Sequence, residues 1–141
     1  MKKLSILMLS LILIFSCKKD NDPSCTTDTA SISGSYKITA ITYKESPSSP
    51  EEDYYAMVFP DACERDDVMT FKTNGTYQST DDGTVCSPAG GDSGTWAVSG
   101  STMTIDGDPV TIESFNCKTL ILVNTDTQTQ GDKFKITLTK Q

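Results

Sequence analysis

Histidine is absent from the 141-residue chain, tryptophan occurs once, and the 12 lysines and arginines are outnumbered by 19 aspartates and glutamates. Each shortage excludes something. Without histidine no Ser-His-Asp or Cys-His arrangement can form, and the commonest general base is missing. The five cysteines include no Cys-x-x-Cys pair; zinc sites favour such close ligand pairs, so no metal is expected. The acidic groups Asp66-Asp67, Asp81-Asp82-Gly83 and Asp106-Gly107-Asp108 lack the alternating ligand spacing of a calcium-binding EF-hand, and the last two read as turn chemistry. Paired carboxylates could serve glycoside hydrolysis, yet nothing marks one pair above the others. The chain reads as a non-enzyme without a cofactor. A net charge of −7 argues against nucleic acid as a partner and against adhesion to anionic lipid. No segment shows a 3.6-residue amphipathic period, so helices are not expected to carry the fold.

What is present begins with Lys2 and Lys3, followed by a 12-residue apolar run, residues 4–15, broken only by Ser5 and Ser10. Ser16 and Cys17 come next. A positive start, a short oily stretch and a small residue form the layout of a secretory signal peptide, whereas a membrane span needs about 20 apolar residues. Ile14-Phe15-Ser16-Cys17 resembles a bacterial lipobox: aliphatic, variable, small, cysteine. In such precursors the cysteine receives a diacylglycerol thioether, becomes the first residue after cleavage and is N-acylated. The resemblance therefore implies a signal peptide at 1–16, lipidation of Cys17, and the membrane as a partner through an N-terminal lipid anchor. Each buried methylene contributes about 0.8 kcal/mol, so one acyl chain binds marginally and two or three hold firmly. All 19 acids follow residue 16, while two of the 12 bases precede it, so processing makes the chain more negative.

Setting Cys17 aside leaves Cys25, Cys63, Cys86 and Cys117, an even set that reads as two disulfides in an exported protein. Residues 17–32 are small, polar and aperiodic, the composition of a tether. Beyond them, eight runs rich in Thr, Val, Ile, Tyr and Phe recur between Gly and Asn turns, predicting strands at 34–43, 67–72, 76–80, 94–100, 102–107, 110–115, 119–125 and 133–140. A long loop separates the first two, with a short helical turn expected near residues 51–56. Asn74-Gly75 marks a hairpin.

Eight strands joined mostly by tight turns predict an all-β, antiparallel, up-and-down barrel over residues 33–141, since closure removes edge strands. A Greek-key sandwich is the competing arrangement, but four of the turns are too short to cross a barrel end. The meander places Cys63 and Cys86 in loops at one end, and Cys25 and Cys117 at the other. Bridged Cα atoms lie within about 7 Å. Cys63–Cys86 with Cys25–Cys117 is thus the one pairing that does not span the barrel. Alternation points Tyr36, Ile38, Ala40, Met69, Phe71, Tyr77, Trp96, Val98, Met103, Ile105, Ile112, Leu120, Leu122, Phe134, Ile136 and Leu138 inward.

Taken together, "GSYKITAITY", the Cys63-x-x-Asp66-Asp67-x-Met69-Thr70-Phe71-x-x-Asn74-Gly75-Thr76-Tyr77 segment, Cys86, "GTWAVSGSTMTI" and "LILVNT" resemble lipocalin-like domain lipoproteins of the Bacteroidota cell envelope. Gly34-Ser35-Tyr36 stands where lipocalins commonly have Gly-x-Trp, which makes Tyr36 the aromatic plug of the barrel base. The resemblance implies lipid anchoring in the outer membrane, with surface display suggested by Lys18-Lys19-Asp20 after the anchor. Asp28-Thr29-Ala30 is similar to the O-glycosylation motif of such lipoproteins. It also implies a small apolar ligand, with Tyr54, Tyr55, Phe59, Met69, Phe71, Trp96 and Met103 as the candidate contacts. The alternative is a filled barrel that meets an unidentified protein partner, or inhibits one, through its loops. An open apolar cavity would decide for the ligand.

Overall fold

A computed structural model describes residues 25–141. The signal peptide expected at 1–16 and the lipidation site Cys17 lie outside the described residues. Strands β1 (Gly34–Lys44), β2 (Glu52–Asp53), β3 (Val68–Phe71), β4 (Thr76–Thr80), β5 (Gly91–Ser99), β6 (Thr102–Ile105), β7 (Asp108–Phe115), β8 (Thr119–Thr125) and β9 (Lys133–Lys140) form one antiparallel sheet. β3 to β9 follow one another in order, and β1 pairs with both β3 and β9. The eight long strands therefore close into a barrel, and the two-residue β2 hangs on the outer end of β1.

Local chemistry explains most of the meander. Between β6 and β7 only Asp106 and Gly107 intervene, both at positive φ (52° and 91°), as a two-residue hairpin requires. The expected Asn74-Gly75 turn takes another form. Only Gly75 has positive φ, while the Asn74 carboxamide accepts from the Thr76 amide at 3.1 Å, giving a three-residue loop with a left-handed glycine. In the β7–β8 turn Asn116 accepts from the amides of Lys118 and Thr119, and Cys117 sits at φ 67°.

The disulfides are Cys25–Cys117 and Cys63–Cys86, with Cα atoms 5.5 and 5.4 Å apart. The first one shows where the domain starts. A tether was expected as far as residue 32, but residues 25–32 are tied to the barrel. Helix α1 (Thr29–Ile32) is capped by Asp28, which accepts from Ser31 N at 2.7 Å. Ile32 is fully buried in the core, and its carbonyl accepts a 2.6 Å bond from the Tyr36 hydroxyl. Polar composition concealed this segment because a single apolar side chain anchors it.

The core runs Ile32, Tyr36, Phe71, Tyr77, Trp96, Met103, Ile112, Leu120, Leu122 and Leu138. Phe71 is its centre, with ring centroids 5.1 Å from Trp96 and 5.8 Å from Tyr36. One inward assignment fails. A bulge between Ile38 and Ala40 shifts the register of β1 against β9. Beyond it Ile41 and Tyr43, opposite Ile136 and Phe134, are buried in place of Ala40. A single extra residue reverses the alternation.

Candidate functional site

The ladder between β1 and β3 is short: it joins Gly34–Tyr36 to Met69–Phe71 and stops. Beyond the Tyr36–Met69 pair β1 continues for eight more residues alongside β9. The long β1–β3 loop covers the interval. It holds helix α2 (Tyr55–Val58) and a 3₁₀ turn (Ala62–Arg65), so the helical turn expected near 51–56 falls a few residues later, and residues 52–53 are strand instead. Asp61 and Glu64 form a capping box that fixes the 3₁₀ turn.

Besides the pairing of β2 with β1 and the bond from the Thr42 hydroxyl to Glu51, two hydrogen bonds bind this loop to β1. Tyr54 N donates to Ile41 O, and the Tyr55 hydroxyl donates to Ile38 O, both at 2.9 Å. The loop thus serves backbone carbonyls of β1 beyond the end of its ladder to β3. Tyr55 also packs edge-on to Phe59 at 5.6 Å and lies under the Arg65 guanidinium. Arg65 in turn donates to Phe59 O and Pro60 O at 2.9 and 3.1 Å.

Below this cover is a cleft of about 140 Å³. Its apolar wall is Tyr36, Ile38, Phe59 and Met69; its polar side is Glu64, Arg65, Asp67 and Ser79. The Tyr36 phenol forms the floor, and burial pushes its pKa up to about 12. Asp67 is the chemically distinctive group. Burial, and then the charge of Asp81, hold its carboxyl above the ordinary aspartate value, against a smaller opposing pull from the Asp82 amide. Its Oδ1 is shielded from water and has no hydrogen-bond partner.

The sequence-derived contacts separate into three groups. Phe59 and Met69 line the cleft. Tyr55 holds the cover, while Tyr54 stacks on Tyr43 at 5.0 Å beside a separate polar hollow shared with Thr129. Phe71, Trp96 and Met103 are 1%, 3% and 0% exposed in the packed core, and they do not line the cleft. Sequence reasoning missed the polar side of the cleft: Glu64 and Arg65 in the loop, and Asp67 and Ser79. For the last two, alternation was available: Asp67 shares the face of Met69 and Phe71, and Ser79 that of Tyr77. Both fall inside predicted strands, but polar side chains carry no signal for an inward-facing site.

Compared with known protein families, residues 32–140 match the lipocalin-like domain. The chain belongs to that family. Its match starts at the buried Ile32 and ends on the last residue of β9, so it spans the barrel. Neither the curated proteins nor the solved structures yield a match. In this lipocalin-like barrel the core around Phe71 is filled; among the described residues one cleft opens under the β1–β3 cover, and a separate hollow of about 290 Å³ is lined by Ile105, Val110, Leu122 and Ile136. The other acidic groups have structural duties. The Tyr77 hydroxyl donates to Asp106 at 2.7 Å and Asp92 at 3.1 Å; the bond to Asp106, then burial, push the phenol's pKa up. Asp66 accepts from Thr84 N and Asp81 from Cys86 N and Gly90 N, which fixes the β4–β5 loop. Among the described residues no three His, Cys, Asp or Glu side chains are gathered to hold a metal ion.

Proposed function

We propose that the protein is a lipid-anchored lipocalin-like barrel of the cell envelope that takes a small ligand in the cleft between β1 and β3. The cleft carries the reading, because it is concave and largely apolar, and it holds a few convergent polar groups, as small-molecule sites do. The absence of histidine supports binding over catalysis. The layout of residues 1–17 supports export, acylation of Cys17 and tethering to the outer membrane. Two experiments test the two halves. Native mass spectrometry of protein purified from its own host should show a reproducible small-molecule adduct, and a clean mass in repeated preparations counts against a ligand. Cys17→Ala should release the protein from membranes or block its processing while both disulfides form; a variant that stays membrane-bound sinks the anchor.

A second reading has its own observation. Met57 (69% exposed), Val58 (41%) and Val85 (62%) are large apolar side chains in the two loops that Cys63–Cys86 joins. They fit an accessory role in which these loops meet a protein partner. Crosslinking from residue 57 in living cells, with a discrete adduct expected, separates this role from ligand binding.

A further inference from the structure

We propose that the ligand of the cleft is a small amine, with an apolar body about the size of a benzene ring and its ammonium group paired to Asp67. The inference rests on the reading of the cleft as a ligand site and gives that ligand a chemistry. Size comes first. A cavity of about 150 Å³ lined by apolar side chains accommodates benzene, and this cleft is about 140 Å³. A long acyl chain or a haem-sized ring does not fit. The wall of Ile38, Phe59 and Met69 over the Tyr36 ring suits a flat or short apolar body.

Charge decides the rest. Asp67 lines the cleft, and its Oδ1, shielded from water behind the lining, has no donor in the protein. A polar atom buried without a partner is costly, and most buried acceptors in native structures are paired. The cation next to it is already committed: Arg65 is held by two carbonyls and the Tyr55 ring. Among the described residues the ion pairs are Lys133–Glu113 and Lys135–Glu51, neither of which touches Asp67. Asp66, Asp81 and Glu64 add negative charge around it. The carboxylates of Asp67, Asp66, Asp81 and Glu64 outnumber the one guanidinium of Arg65, so this end of the cleft favours a cation over a carboxylate, which separates amines from fatty acids. Rotation of the carboxylate about its last torsion, which is broad and roughly two-fold, brings the unused acceptor round to the ligand.

The test uses three probes with one body, benzylamine, benzyl alcohol and benzoate, titrated calorimetrically into the full-length chain at pH 8. Benzylamine should bind about tenfold or more tighter than benzyl alcohol, the worth of a charge-assisted hydrogen bond, and benzoate more weakly than either. In Asp67→Asn benzylamine should fall to the level of benzyl alcohol, whose own affinity stays. Asp82→Asn, an exposed neutralisation in the neighbouring loop, should keep the preference and so exclude general surface charge. Equal binding of amine and alcohol, or a preference that survives Asp67→Asn, overturns the amine while leaving the cleft as a site. Failure of all three probes to bind overturns both.

Discussion

Two aspartates show how the same side chain is given opposite roles. Asp132 is 1% exposed; burial alone would raise its pKa, but the amides of Thr127, Gln128 and Thr129 at 2.7–3.0 Å outweigh that and hold it well below the ordinary value. Its contribution to stability is therefore complete above the ordinary aspartate pKa of about 3.9 and is lost as pH falls toward the depressed folded value. Asp132→Ala should lower Tm at pH 7 by roughly 5–10 °C and flatten the loss of Tm below about pH 4, as thermal melts across pH would show. Asp67 has the reverse sign. Its pKa is raised by burial and by Asp81, Asp66 and Glu64, so its ionised form costs stability at neutral pH, and that cost disappears below the ordinary value. Asp67→Asn should raise Tm at pH 7 by a few degrees, with the gain gone near pH 4.

At the level of elements, the cover of the cleft and the plug of the base are each held by a tyrosine hydroxyl. Tyr55→Phe removes the bond to Ile38 O and should cost about 1 kcal/mol. Hydrogen exchange should then quicken across residues 54–66 and leave β5 to β8 unchanged; uniform quickening would mean that the cover is part of the global fold. The plug depends on Gly34, whose φ of +141° strains any side chain and whose added Cβ would lie 2.4 Å from Lys140 Cε. Lys140 can move aside, but only by giving up its 3.0 Å bond to Ser31 O in α1. Gly34→Ala should therefore destabilise by about 1–3 kcal/mol, and urea unfolding measures it.

For the whole molecule the two bridges are unequal. Cys25–Cys117 spans 92 residues and Cys63–Cys86 spans 23. Loop-closure entropy assigns them about 4.6 and about 3.4 kcal/mol. Replacing the first pair by alanine should lower stability more, and should also free the segment that joins the barrel to its proposed anchor. If the shorter bridge matters more, the long one acts mainly as a tie for α1.

What the sequence determined by itself is what depends on neighbours along the chain. Alternation marked every barrel strand, short turns marked the meander, and the order of elements implied which cysteines share an end. The tertiary structure alone decided what depends on contacts between distant residues. The bulge after Ile38 reversed the inward face of β1, because register is chosen against β9 and not within β1. Ile32 made a plug from an apparent tether by entering a core assembled mostly from later strands. The cleft joins residues 36 to 79 because β1 and β3 part after three paired residues, and no local pattern states where a ladder ends. Strand identity is a short-range property of side-chain alternation, whereas empty space is set by the mismatch of elements packed far apart in sequence.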